Sequence, residues 1–373
     1  MWGRSDCAIY ATEFSPFRGD LLAVGAAQFF GIVGSGKAGV FQFSGGQWVP
    51  LMEWVTADGV YDVAWSEANE HTLCSGQGDG TIKFFDLKHP QGPLMTIKEH
   101  QAEIYGVHWN GQARNLICTA SWDQTSIVFD VQGKATLRRY RSHAKVGYCA
   151  VWSPYEEGTF ATVGGDGRLN IFDIKAPGDL RPVAAAQAHQ FEVLSCDWHK
   201  YNPNMLVTGS VDKSLRTWDR RNLSAPLATL FGHQLAVRRV KCHPHRGNFI
   251  GSAGYDMAVR LWDIEMGGQM VQAFDHHQEF VIGLDFSLFE SGLVASGSWD
   301  RTFCVWNHER GPPMPAPPGY FRPKQGMPSG MPPGGGPIMP GGNASALPQT
   351  GSGAMPGSGA LAQTAEVPVL ASC

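Results

Sequence analysis

Met205-Leu-Val-Thr-Gly-Ser-Val-Asp212-Lys-Ser-Leu-Arg-Thr-Trp218-Asp219 decides the fold. Two strand-like runs, Met205 to Ser210 and Ser214 to Trp218, flank a turn carrying Asp212, which reads as a β-hairpin. His189 lies 23 residues before Asp212, and the same interval separates His100 from Asp123, His143 from Asp166, His233 from Asp256 and His277 from Asp300. The turn aspartates Asp79, Asp123, Asp166, Asp212, Asp256 and Asp300 follow one another at 44, 43, 46, 44 and 44 residues. Six residues after each stands an aromatic: Phe85, Phe129, Phe172, Trp218, Trp262 and Trp306.

A period of about 44 residues closing on Trp-Asp is the signature of WD repeats, each of which builds a four-stranded propeller blade. The fold class predicted is therefore all-β, a seven-bladed WD-repeat β-propeller over 1–310. Six units carry the turn Asp. A degenerate first unit fits before Asp58, with strands at Tyr10–Phe14, Leu21–Ala26, Gly39–Phe43 and Trp48–Glu53. Either Met1–Ala8 or the segment after Arg310 supplies the last blade's outer strand. The recurring residues are expected to form a structural tetrad in which His bonds to Asp, with a strand Ser or Thr and the Trp extending the network. The set is His100, Asp123, His143, Asp166, His189, Asp212, Trp218, His233, Asp256, Trp262, His277, Asp300 and Trp306. A satisfied buried polar network fixes strand register, so these residues are read neither as metal ligands nor as catalytic dyads.

Composition narrows the function. A net charge of −4 gives no basic field to attract nucleic acid. No apolar run reaches the ~18–20 residues of a membrane span, and Met1–Asp6 has no signal-peptide core. The eight cysteines include no Cys-x-x-Cys pair and none at zinc spacing, which suits a reducing cytosol. After Arg310 the chain turns to Pro, Gly, Ala, Ser and Met, with only Arg322, Lys324 and Glu366 charged. Such a segment, 311–373, is expected to be a disordered tail. Gly31-Ile-Val-Gly-Ser-Gly36-Lys37-Ala38 imitates a phosphate-binding loop, but Ala38 replaces the magnesium-binding hydroxyl and a strand pattern follows instead of a helix. No catalytic motif, cofactor or metal is expected, and the chain reads as a binding protein rather than an enzyme.

Several stretches outside the repeat positions resemble the family of receptors for type 2 peroxisomal targeting signals, the seventh peroxin. They include Tyr10-Ala-Thr-Glu-Phe-Ser-Pro-Phe17, Trp65-Ser-Glu-Ala-Asn-Glu-His71, Ser121-Trp-Asp-Gln-Thr125 and Leu194-Ser-Cys-Asp-Trp198. Trp218-Asp-Arg-Arg-Asn222, Ala236-Val-Arg-Arg-Val-Lys241 and Gly283-Leu-Asp-Phe-Ser287 continue the likeness. The resemblance implies a cytosolic receptor that shuttles to the peroxisome. It would bind an N-terminal nonapeptide with Arg or Lys first and a His or Gln followed by an apolar residue last. It also implies a co-receptor, either a long form of the type 1 signal receptor or a fungal-type adaptor, and peroxisomal membrane docking proteins. The fold alone leaves open another peptide adaptor, such as one for chromatin or a ubiquitin ligase.

The repeat register nominates the binding face. Residues three and five after each tetrad His, and the residue before each turn Asp, should rim one end of the propeller; Thr56 takes the place of the His in the second blade. Asp58, adjacent to the plus-three position there, with Glu103 and Glu192, is expected to hold the peptide's basic residue. Tyr61, Tyr105, Trp122, Tyr148, Trp299 and Leu194 are expected to form an exposed apolar surface for its other face. Arg238 and its neighbour Arg239 are candidates for an acidic group.

Overall fold

The computed structural model describes residues 1–176 and 180–317. They form seven four-stranded antiparallel sheets. Blade 1 runs over Ala8–Phe14, Leu21–Ala27, Gly36–Ser44 and Gln47–Thr56. Blade 2 opens at Val60–Trp65, blade 3 at Ile104–Trp109, blade 4 at Gly147–Trp152, blade 5 at Val193–Trp198, blade 6 at Val237–Cys242 and blade 7 at Val281–Phe286. The seven-bladed propeller is the fold the repeat predicts. The last blade takes its outer strand from the N-terminal side: Trp2–Arg4 pairs antiparallel with Thr302–Asn307, and so ties the two ends of the ring. The chain divides into Met1–Gln325 and Gly326–Cys373. The expected disordered tail lies outside the described residues from 318 onward.

Strands with apolar residues on both faces need a core on each side. That is what the ring supplies, because each hydrophobic cluster lies between two blades. Ala11, Leu21, Val40 and Trp54 of blade 1 pack against Val60, Trp65 and Phe85 of blade 2. Val151, Leu169 and Ile171 of blade 4 meet Val193, Trp198 and Trp218 of blade 5. Ile9 and Val24 close on Phe303 and Val305 where blade 1 meets blade 7.

Inner strands of neighbouring blades are stitched by side chains. Asp62 accepts from the Val107 amide (3.1 Å), Glu13 from Trp65 (2.7 Å), Asp197 from Cys242 (2.8 Å) and Asp285 from Phe14 (2.9 Å). Arg239 and Lys241 neutralise Asp62 (3.0 Å) and Asp285 (3.2 Å). Glu13, Asp62, Asp197, Arg239 and Lys241 line a cavity of about 30 Å³.

In blades 5 and 6 the His, Asp, hydroxyl and Trp side chains are joined in one network. His189 meets Asp212 (2.7 Å) and Thr208 (2.8 Å), and Trp218 donates to the same Thr208 (3.0 Å). His233 meets Asp256 (2.9 Å) and Ser252 (2.7 Å), to which Trp262 donates (2.8 Å). In blades 3 and 4, His100–Asp123 (2.9 Å) and His143–Asp166 (2.9 Å) reach Thr119 and Thr162, and phenylalanine replaces the Trp. Blade 7 corrects the expectation. His277 bonds to Asp300 (2.9 Å) and Ser296 (2.8 Å), but Trp306 Nε1 is buried without an acceptor. His276 takes its place on Ser296 (3.0 Å) and packs edge-on against the Trp306 ring (4.6 Å). A hydroxyl oxygen has two lone pairs, and two imidazoles crowd out the indole.

Candidate functional site

In every blade the inner strand slips register by one residue at the same place. The bulged residues are Tyr10, Tyr61, Tyr105, Tyr148, Leu194, Arg238 and Ile282. A bulged residue leaves the ladder and its side chain is re-aimed. Here the rings of successive blades meet: Tyr10 on Tyr61 (5.1 Å), Tyr61 stacked on Tyr105 (4.6 Å) and Tyr105 against Tyr148 (6.0 Å). The plus-five positions of the repeat thus converge in an aromatic collar. Tyr10 was missed because blade 1 lacks both His and turn Asp. The signal for it was Ile9-Tyr10 standing where Val60-Tyr61 and Ile104-Tyr105 stand.

A second tier is built from backbone. The residue before each turn Asp donates its amide to the carbonyl of the plus-three residue: Gly78 to Gly59 (2.9 Å), Trp122 to Glu103 (2.9 Å), Val211 to Glu192 (3.0 Å) and Trp299 to Phe280 (3.0 Å). Trp122 is thereby laid on Tyr105 (4.9 Å), and Trp299 on Tyr10 (5.5 Å) and Phe280 (5.2 Å). The expectation of an exposed aromatic face needs correction. The rings cover one another, leaving Tyr61 3%, Tyr105 5% and Trp299 8% exposed: Tyr61, Tyr105 and Trp122 stack near-parallel, and Trp299 is covered by tilted contacts with Tyr10, Phe30 and Phe280. Leu194 is buried as well. Apolar surface is left open on the loop that imitates a phosphate-binding motif, with Phe29 68%, Ile32 64% and Val33 66% exposed.

The acids are half-buried and fall into two places. Asp58 has room because its neighbour across the rim is Gly78; a Cβ there would sit 2.6 Å from Asp58 Oδ1. Burial raises the Tyr61 phenol well above its usual range, and the carboxylates of Asp58 and Glu103 raise it further. Burial raises the Glu103 carboxyl too, with the Asp58 charge adding to it. Asp58 and Glu103 are therefore a crowded pair of acids beside one tyrosine, an arrangement that a cation relieves. Glu192 stands apart beside Tyr148, whose phenol is raised by burial first and then by Tyr255 and Glu192.

Arg238 is 2% exposed, lies over the Tyr105 ring (5.7 Å) and donates to the Leu194 carbonyl (3.4 Å). Its Nη2 has no acceptor among the described residues. Arg239 points the other way, into the channel, where its pairing with Asp62 removes it from the candidate site. No group of three metal-ligating side chains occurs among the described residues, and no described helix is long and apolar enough to cross a membrane.

Comparison with known proteins places these repeats in a wider family. The family model described as "WD domain, G-beta repeat" matches residues 48–86, 91–130, 180–219, 224–263 and 268–307. The peroxisomal targeting signal 2 receptor of Saccharomyces cerevisiae is 30% identical over 243 residues, covering 58% of this chain and 65% of that one. The mouse protein of the same name is 43% identical over 156 residues, 41% of this chain and 48% of its own. Peroxisome biogenesis protein 7 of Arabidopsis thaliana is 41% identical over 120 residues, 31% and 38%. The chain thus spans less than two thirds of the length of each of these three relatives. Five repeat matches over more than half of the sequence, on a ring whose His–Asp bonds hold the turns between strands, place the chain in the WD-repeat family.

Proposed function

We propose that this protein is a receptor for the N-terminal type 2 targeting peptide of peroxisomal matrix proteins, working with a co-receptor and handing its cargo to docking proteins at the peroxisomal membrane. It works in the cytoplasm and at the peroxisome, by binding and without catalysis. The observation that carries this reading is the Asp58–Glu103 pair beside the aromatic collar. Two crowded, half-buried carboxylates suit the basic residue at the start of the peptide, and the neighbouring rings suit aliphatic stem and helix. The names of the relatives support the same reading. Arg238, over the Tyr105 ring, and Glu192, beside Tyr148, hold a second polar contact of the peptide or co-receptor.

The test is binding of a helical type 2 nonapeptide, measured by fluorescence anisotropy with and without co-receptor. Asp58→Lys with Glu103→Lys is expected to weaken binding about a hundredfold and to leave the β-sheet circular dichroism unchanged. Equal affinity of the double variant and the parent would sink the acidic-pair reading.

A further inference from the structure

The loop between the second and third strands of blade 1 has no counterpart in the other blades, whose corresponding turns are tight and carry the turn Asp. It carries Phe29, Phe30, Ile32 and Val33 in five residues, and all four are exposed. Phe29 (φ 44°) and Phe30 (φ 57°) both occupy the left-handed region, which bulky residues avoid unless their surroundings dictate it. The surroundings here are the collar. Tyr10 donates to the Phe30 carbonyl (2.6 Å) and Tyr61 to the Gly31 carbonyl (2.7 Å). The Phe30 ring packs on Trp299 (5.2 Å), and Gln28 Oε1 accepts from the Ser35 amide (3.3 Å). Gly31 (φ 72°) leaves no space for a Cβ, which would fall 2.8 Å from the Tyr61 hydroxyl. The glycines of the false phosphate loop thus let an apolar loop be pinned at the rim.

We infer that the Phe29–Val33 loop is a wall for the apolar side of a bound amphipathic helix, and that it sets the direction in which the peptide lies. The assignment rests on the receptor reading above. Its argument is continuity: Tyr61 is at once the ring beside Asp58 and Glu103 and the donor that holds the loop. Tyr61, Tyr10 and Trp299 follow at centroid spacings of 5.1 and 5.5 Å, and two turns of helix rise about 11 Å. A nine-residue helix with its basic first residue over Asp58 and Glu103 therefore brings its last apolar residue to Phe30 and Trp299. Blades 2 and 3 read the basic end, and blades 1 and 7 read the apolar end.

The experiment is a double-mutant cycle on the full chain, again by anisotropy. The receptor variants are Phe29→Ser/Phe30→Ser/Ile32→Ser/Val33→Ser and, to leave the Trp299 contact intact, Ile32→Ser/Val33→Ser alone. The peptides are the type 2 nonapeptide and versions with the last apolar residue changed to Ser or the first basic residue changed to Glu. The four-site change should weaken binding at least about tenfold and the two-site change about threefold. Both should lose discrimination against the Ser peptide and keep discrimination against the Glu peptide. If the parent binds with the basic preference but the loop variants bind equally well, the loop assignment is overturned and the receptor reading stands. If the parent does not bind the nonapeptide with or without co-receptor, both fall.

Discussion

Blades 1 and 2 differ from blades 5 and 6 in how they are held and in what they present. Blade 5 locks its turn with His189, Asp212, Thr208 and Trp218 in one buried network. Blade 2 has Thr56 where the His should be; its Asp79 is satisfied locally by the Thr81 amide (2.9 Å) and hydroxyl (2.6 Å). Blade 1 has neither the His nor the turn Asp. Yet the rim of blades 1 and 2 carries Asp58, Tyr61, Tyr10 and the strained phenylalanine loop. A rim that gives up the His gains room for other groups, since Asp58 sits where Gly78 leaves space. The lost polar lock is offset by packing: Trp54 stacks on Phe85 (4.8 Å) between the two blades.

The largest effect should come from breaking the network where it is complete. Asp212→Ala strands the buried His189 and is expected to cost about 3 kcal/mol in chemical denaturation. Asp79→Ala strands only local donors and should cost about 1 kcal/mol. Equal losses would erase the distinction between the two regions. On the binding side, Gly78→Ala should displace the Asp58 carboxylate and weaken nonapeptide binding about tenfold with little change in melting temperature. The matching change in blade 4, Gly165→Ala, meets Val146 at 3.0 Å and reaches only the Glu192 Cγ, at an ordinary contact distance of 3.6 Å, so it should leave affinity within about twofold.

Acid should separate the regions further. His243, in the inter-strand loop of blade 6, caps that loop by accepting the His245 and Arg246 amides at Nδ1 (3.0 and 3.1 Å). Burial first, and then neighbouring His308 and His245, lower its pKa to about 4. The unfolded imidazole protonates near 6.5, so between pH 6.5 and 4 the unfolded chain binds the extra proton and stability falls as pH drops. Asn110 fills the same capping role in blade 3 with an amide oxygen. His243→Asn should therefore flatten the pH dependence of stability by about 1 kcal/mol per unit across that window. An unchanged slope in pH-dependent melts would show that His243 titrates freely. The smallest effect concerns the two kinds of tryptophan. Both Trp218→Phe and Trp306→Phe lose ring volume from the core, but only Trp218→Phe also loses a bond, to Thr208, and it should cost about 1 kcal/mol more than Trp306→Phe, whose indole N–H has no acceptor among the described residues.

Much of this is legible in the amino-acid sequence. The 23-residue His–Asp interval gave the blades because a hydrogen bond between two fixed positions of a repeat imposes a fixed spacing. The plus-five rule found Tyr61, Tyr105, Tyr148, Leu194 and Arg238, because one bulge recurs in every inner strand. It failed at Tyr10, where the marker residues are absent, and it could not tell that Arg238 joins the collar while Arg239 turns to Asp62 in the channel. A bulge is a property of strand pairing, and pairing is not written in one strand.

The local pattern alone set the hairpin strands, the turns, the blade count and the His–Asp bonds, because these depend on residues within about 44 positions of one another. Only the closed ring decided the rest. It chose Trp2–Arg4 over the C-terminal segment as the last strand. It turned aromatics that look exposed into a mutually buried collar, placed Asp58 beside Glu103, and left Phe29 and its neighbours open at the rim. Burial and juxtaposition are sums over neighbours from different blades, and only closure of the ring makes those residues neighbours.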